Sequence, residues 1–450
     1  MKKKHSNLVS LVAICLGFFM VIIDITVVNV ALPSISRDLG GEISTLQWIV
    51  DGYALSFACL LLLVGNLADK YGAKRLFMMG LLLFTISSLG CALSSTPLSI
   101  ILFRIIQGIG GALIIPTSLS LINSTFDNPK EKAKAIGIWG GIGGIAATLG
   151  PILGALLTAG FSWRAVFFIN IPVGVLATYL CLNYVKTVLG NKTIGIDLLG
   201  QIFSILWIGS LAFALIEVGR LGWTSPIVLI SIAVFLLGLI FFIIIESSVS
   251  SPMFPLSVLS IKNFSIPLLL GIFINISTYG LLFLLPLYFQ EIKQYSVLIT
   301  GFAIVPLFIL VALSSYLSGK AVTLLGIKPV IDSGLVIGVF GFLGMLWVIN
   351  LTHPDYIWMI IPLACIGFGI SFTMPAATIV IIRSVEHNRA GFASSSFNMA
   401  RQLGTLIGVA TFGTVIVISK SFILGMSISL CIAAAIYILG MLLCIKINEN

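Results

Sequence analysis

Charge is scarce in this sequence. Asp, Glu, Lys and Arg make up 9% of the 450 residues, against 59% hydrophobic. A soluble domain carries roughly 25% charged residues, so lipid must cover much of this surface. Histidine is rarer still: His5, His353 and His387 fall at an end or between apolar runs, and no HExxH occurs. The seven cysteines lie in or beside apolar runs with no CxxC or Cys/His metal spacing, so neither a disulfide nor a metal site is read. No GxxxxGK[ST] loop is present, which removes ATP as the driving ligand. No connection is long enough for a soluble output or catalytic domain, which counts against a sensor or a membrane enzyme. The net charge of +9 has no basic soluble face to sit on, so nucleic acid is not an expected partner.

What is present is a series of long apolar runs. A spanning helix needs roughly 20 such residues, and transmembrane strands would show short alternating segments instead. Fourteen spans are expected, near 8–30, 47–66, 76–95, 98–123, 135–158, 164–184, 197–219, 225–246, 264–289, 298–319, 329–349, 355–381, 390–418 and 422–445. Backbone groups in hydrocarbon must bond internally, so each is a helix and the chain is an all-α polytopic membrane protein. Met1 to His5 and the following run have the outline of a signal peptide. No small-residue cleavage site closes the run, so it reads as an uncleaved first helix.

Basic residues orient the spans. With the N-terminus inside, seventeen of the 24 Lys and Arg residues fall on the cytoplasmic side and five outside, while Arg104 and Arg401 lie within spans. Both termini are therefore expected in the cytoplasm, with the chain multi-pass in the cell membrane. An internal repeat supports the count. Gly65-Asn-Leu-Ala-Asp-Lys-Tyr-Gly72-Ala-Lys74 follows the second span, and Gly319-Lys-Ala-Val-Thr-Leu-Leu-Gly326-Ile-Lys328 follows the tenth. The offset of eight spans predicts two six-helix bundles, 1–190 and 262–450, around an inserted pair with its loops at 191–261. Duplicated halves around a midplane site are a common transporter plan.

The loop GNLADKYGAKRL resembles the signature loop of the major facilitator superfamily, with Gly65, Asp69, Lys70, Gly72, Lys74 and Arg75 at the family spacing and Lys70 where Arg is usual. The resemblance implies a gating role for these six residues, latching the two halves in one access state. Arg104-Ile-Ile-Gln107-Gly-Ile-Gly110-Gly111 resembles the family's intramembrane Arg motif. Gly150-Pro151-Ile-Leu-Gly154 resembles the motif of its antiporters, which implies a conformational role for Gly150, Pro151 and Gly154 and disfavours a symporter. Asp24-Ile-Thr-Val-Val-Asn29, Trp48-Ile-Val-Asp51-Gly-Tyr53 and Asn398-Met-Ala-Arg401-Gln402-Leu-Gly404 narrow the match to the fourteen-span drug:proton antiporters, most like the QacA-type multidrug exporters. The resemblance implies a major facilitator fold and proton-coupled export of small amphiphilic drugs from the cytoplasm by a monomer, with protons as coupling ion and no cofactor. A narrower exporter of tetracycline or a metabolite would share these motifs.

An ionisable residue within a span costs about 2.5–3.5 kcal/mol on insertion scales and is a functional candidate by default. With a rise of about 1.5 Å per residue, Asp24 sits about 24 Å from the inner end of its span and Arg104 about 9 Å from the outer end of its own. Across about 30 Å of hydrocarbon those depths nearly coincide. Asp51 and Glu217 also fall in the outer half, so Asp24, Asp51, Arg104 and Glu217 are read as one proton-coupling cluster. Asp51 could instead be a solvated helix-end acid. Glu217, with Arg220 at i+3, could form only an interfacial pair. Arg401 is expected to bond backbone or pack rather than meet substrate, and Asp197, Glu246 and Asp332 to mark helix ends. Gln107, Tyr279, Phe283, Phe397 and Asn398 are candidates for a drug-binding wall. Of the aromatic residues in this set, packing or lipid contact is the more frequent role.

The spans at 298–319 and 390–418 contain no acid, whereas QacA-type proteins carry acids there that are associated with divalent cations. Dications are therefore expected to be poor substrates, and proton-driven efflux of a bis-cationic dye from energised vesicles should stay at background. Robust export of that dye would contradict the reading.

Overall fold

The computed structural model describes residues 2–187, 190, 195–249, 252–352, 354–386 and 389–447, with side chains described from residue 7 onward. Lys192, His353, His387 and the boundary expected at 190–191 lie outside the described residues or against their edge, as do the side chains of Lys2, Lys3, Lys4 and His5. Among the described residues there is no strand, and fourteen helices are long and apolar enough to cross a membrane. They are α1 (Lys2–Leu39), α2 (Ile43–Tyr71), α3 (Ala73–Ala92), α4 (Pro97–Thr125), α5 (Pro129–Gly160), α6 (Ala165–Tyr184), α7 (Leu198–Leu221), α8 (Pro226–Ser248), α9 (Lys262–Ile292), α10 (Val297–Leu325), α11 (Ile327–Ile349), α12 (Tyr356–Arg383), α13 (Ala390–Ile418) and α14 (Phe422–Cys444).

Local sequence fixes the helix ends. Thr96 caps α4 in a capping box with Ser99, and Pro97 fills the first turn, where a missing N–H costs nothing. Asn128 before Pro129 does the same for α5, and Ser296 and Ser421 cap α10 and α14.

The expected spans are matched one for one, but several helices run past the apolar window. The GNLADKYGAKRL segment is the clearest case. It is helical through Tyr71, breaks at Gly72 alone (φ 91°), and resumes at Ala73. Its counterpart is helical through Leu325, breaks at Gly326 (φ 88°) and resumes at Ile327. Hydropathy registers only the hydrocarbon-length part of a helix, so polar end turns read as loop. A positive φ at both breaks is where glycine is required.

Packing follows the same repeat. Helix α1 packs on α5 and α6, α2 on α4, and α3 on α4 and α6. Eight helices later, α9 packs on α13 and α14, α10 on α12, and α11 on α12 and α14. Between the two sets, α2 lies against α13 and α5 against α10, a symmetric pair of contacts. Helix α7 leans on both α2 and α13, so it sits across the junction, and α8 is the most peripheral of the fourteen, packed mainly on α7.

An even number of spans puts both chain ends on one side of the bundle. At the opposite, distal end the two sets interlock. Gln47 Nε2 donates to the carbonyls of Val409 (3.2 Å) and Ala410 (2.7 Å), and Gln290 Nε2 to the carbonyl of Val30 (3.1 Å). Arg37 Nη2 donates to Gln290 Oε1 (3.3 Å). Toward the terminal end, a Cβ on Gly65, Gly140, Gly144 or Gly319 would meet nothing within 4 Å. The two sets are therefore hydrogen-bonded to each other at the distal end.

A Cβ on Gly301 of α10 would lie 2.3 Å from Ala155 Cβ and 2.9 Å from the Pro151 carbonyl of α5. Gly301→Val should push the distal ends apart at an overpacking cost of about 1–3 kcal/mol. A spin-label distance between the distal ends of α5 and α10 should lengthen in that variant and stay unchanged in Gly144→Val. Identical distances in the two variants would contradict the distal contact.

Candidate functional site

Five of the first six helices converge on one buried charge pair. Asp24 of α1 is 0% exposed and Arg104 of α4 is 2% exposed. Arg104 Nη1 forms an ion pair with Asp24 Oδ2 and donates to Gln107 Oε1 (2.8 Å), while its Nε donates to the Ile49 carbonyl of α2 (3.0 Å). Asp24 Oδ1 accepts from Gln107 Nε2 (3.0 Å) and from Asn170 Nδ2 of α6 (3.0 Å). Both amides also donate to Ser88 Oγ of α3, at 2.7 and 3.2 Å. The guanidinium lies 4.4 Å from the Tyr53 ring centroid, a cation–π contact. Both carboxylate oxygens are satisfied, as a buried charge requires.

The depth argument thus located the Asp24–Arg104 pair, but the single acid cluster it implied is three separate places. Gln107, expected on a drug wall, belongs to the charge pair instead. Asp51 is 0% exposed, and neither of its oxygens has a hydrogen-bond partner among the described residues. Its position follows from helix periodicity. Gln47 points to α13 and Trp48 to α7, where its Nε1 donates to Glu217 Oε1 (3.1 Å). At about 100° per residue, Asp51 falls between those two directions. It therefore lies in the seam of α2, α7 and α13, not in solvent at a helix end. Glu217 lies at the distal mouth of that seam and also accepts from Arg220 Nε and Nη2 at 3.0 and 2.8 Å. The i+3 pair weighed from the sequence is present, with a bond to the first half added.

The residues expected to gate make few side-chain bonds among the described residues. Asp69 and Arg75 are exposed, and neither takes part in a hydrogen bond or ion pair among the described residues. Lys70 lies over the Tyr71 ring. Lys74 Nζ donates to the carbonyls of Leu182 (3.2 Å) and Val185 (2.6 Å), satisfying the end of α6 where a cation is favoured. The Gly150-Pro151-x-x-Gly154 stretch is in close contact. A Cβ on Gly150 would fall 1.8 Å from Thr26 Oγ1, and one on Gly154 would fall 2.6 Å from the Val27 carbonyl. Those glycines let α5 touch α1 two residues beyond Asp24.

Phe283 (0% exposed) and Phe397 (2%) are packed into the core, the more frequent role for such aromatics. Tyr279 and Asn398 are half-buried. The sequence reading missed Ser88, Asn170, Tyr53 and Gln47. Asn170 carried a usable signal, a lone amide between Phe168-Ile169 and Ile171-Pro172; Ser88 carried none. It also missed that Asp197 and Glu246, read as separate helix-end acids, meet beside Gly200.

The chain matches the Major Facilitator Superfamily model over residues 14–409. It belongs to that superfamily. The branch is that of the fourteen-span drug:proton antiporters. The multidrug resistance protein Stp of Mycobacterium tuberculosis H37Rv is 34% identical over 412 residues, covering 92% of this chain and 76% of Stp. A methylenomycin A resistance protein of Bacillus subtilis is 30% identical, covering 96% of this chain and 92% of its own. The puromycin resistance protein pur8 of Streptomyces alboniger is 32% identical, covering 90% and 81%. Among solved structures, a peptide transporter POT superposes with a TM-score of 0.71 at 14% identity, covering 96% of this chain and 93% of that one. The human organic anion transporter MFSD10 superposes at 0.64 and 15%, covering 99% and 100%. These carry the fold alone. By family and fold the chain is a transporter.

Removing one member of a buried pair leaves an uncompensated charge and costs about 3–5 kcal/mol. Arg104→Gln should lower thermal stability in detergent accordingly, and Asp24→Asn combined with Arg104→Gln should recover much of it. A double variant no more stable than the single one would show that the pair is not the stabilising unit.

Proposed function

We propose that this protein is a proton-coupled antiporter that exports hydrophobic drugs, mainly monovalent cationic, zwitterionic or neutral, from the cytoplasm by alternating access. The relatives named for multidrug, methylenomycin and puromycin resistance support drug export. The excess of Lys and Arg on the terminal side supports a cytoplasmic placement of both ends, so in our reading the hydrogen-bonded distal end faces out. A narrower exporter of the same fold is the alternative, differing only in cavity chemistry.

The observation that carries the proton coupling is the contrast between two acids. Asp24 is answered by Arg104 and two amides, so its charge is stable where it sits. Asp51 has nothing to answer it, and an ionised carboxylate in such surroundings costs several kcal/mol that a bound proton removes. Opening the distal end must part α2 from α13 and break the Gln47 bonds, which brings Asp51 toward the outer solution. In our reading a proton taken up there allows the seam to reclose. Each inward proton supplies about 2.3 kcal/mol per 100 mV and about 1.4 kcal/mol per pH unit, enough to drive a monovalent amphiphile uphill. Protons are the coupling ion, and no cofactor enters the scheme. The working unit is a monomer, since the duplicated halves within one chain complete the path.

Dye efflux in proteoliposomes with an imposed proton gradient tests this. Asp51→Asn should lose accumulation against a dye gradient by at least about tenfold, equivalent to 1.4 kcal/mol, while still passing dye downhill. Asp51→Glu should keep part of the uphill activity. An Asn variant that concentrates dye as well as wild type would remove Asp51 from the coupling.

A further inference from the structure

The second bundle contains its own intramembrane cation. Arg401 lies eleven residues into α13, about 17 Å along the helix at 1.5 Å per residue, and guanidinium stays charged at any physiological pH. Arg104 is paired with Asp24, but Arg401 forms no ion pair among the described residues. Its one side-chain bond is a long one, Nη1 to Asn398 Oδ1 at 3.5 Å, and its Nε is buried without a partner. An unanswered charge at that depth is costly by default.

Helix geometry shows where this side of α13 faces. Phe397, Gly404 and Gly408 pack on α9. Ala410 and Gly413 meet Gln47 of α2. Leu403 joins the cluster that includes Ile208 and Ala212 of α7, and Thr414 Oγ1 donates to the Leu215 carbonyl (2.6 Å). At about 100° per residue, Arg401, Thr405 and Asn398 lie within about 60° of one another, on the arc between α9 and α2. That arc looks into the space between the two bundles. Tyr279 of α9 is half-buried and within electrostatic reach of both Arg401 and Tyr53 of α2, so residues of both bundles border the same place.

We propose that Arg401, with Asn398 and Tyr279 beside it, is the subsite for an anionic group on the transported compound, and that zwitterionic amphiphiles carrying one carboxylate are the preferred members of its substrate range. The inference rests on the export reading and narrows its substrate class. The guanidinium can engage a carboxylate through two parallel N–H bonds, and Nε is one of the donors left over. Asn398 holds the fork from one side. The absence of acids in the spans at 298–319 and 390–418 leaves the charge to be answered by the cargo.

The test uses the full-length protein in lipid nanodiscs and two probes of one scaffold: rhodamine B, which has a free carboxylate, and its ethyl ester, which does not. The readout is the ratio of their dissociation constants by fluorescence polarisation. Wild type should bind rhodamine B more tightly than the ester, by roughly tenfold. Arg401→Gln should abolish that preference, and Arg401→Lys should keep part of it. Asn398→Asp should abolish it too, by supplying an internal carboxylate at i−3, and it decides the matter if Arg401→Gln does not yield folded protein. A ratio that is the same in wild type and Asn398→Asp, or that Arg401→Gln leaves unchanged, overturns the proposal. Proton-driven export of the ester by wild-type proteoliposomes tests the export reading separately. If the ester is exported while the ratio is insensitive to these variants, only the anion subsite fails. If the ratio responds but neither dye moves, the subsite stands and the export reading fails.

Discussion

A charge held in hydrocarbon must be answered by another charge or by hydrogen bonds, and the first bundle is built around one such answer. The Asp24–Arg104 pair draws on side chains or backbone from α1, α2, α3, α4 and α6. No two of those helices could move far apart without exposing a buried charge. The glycines around the pair serve the same end: Gly150 and Gly154 allow α5 to reach α1 at backbone distance. The bundle behaves as one body because its centre tolerates only one arrangement.

Two other ionisable groups break that rule, and each lies where the bundles meet. Asp51 occupies the seam that must part when the distal end opens. Arg401 looks into the space between α2 and α9. An unanswered charge is a poor choice for rigidity but a good one for a group that must gain and lose a partner during a cycle. The inserted helix α7 closes the Asp51 seam from outside, through the Trp48–Glu217 and Thr414–Leu215 bonds. It thereby ties itself to both bundles at the junction where they move. The distal contacts combine the close approach of Gly301 to Ala155 and the Gln47 and Gln290 amide bonds with an apolar cluster shared by both halves.

Much of this was legible in the sequence. The span count, the repeat with its paired Gly72 and Gly326 breaks, and the meeting of Asp24 with Arg104 all follow from quantities that run along one dimension: apolar length, spacing and depth. What was hidden is rotational. In helices apolar on nearly every face, periodicity does not mark the inward side. Depth therefore groups Asp51 with Asp24 although it points to α13 and α7, and sequence leaves Phe283 and Phe397 between a cavity wall and packing, where the structure buries both in the core. The full ring of partners around Asp24 was equally out of reach, since Ser88 is one small hydroxyl among many.

Proton movement evoked by drug tests the central claim most directly. Wild-type protein in tight liposomes containing a pH-sensitive dye should show, on addition of a monocationic rhodamine to one side with no imposed gradient, proton movement opposite to the rhodamine flux. A protonophore should collapse any accumulation. Rhodamine flux with no proton movement, persisting undiminished in the presence of the protonophore, would contradict proton-coupled export.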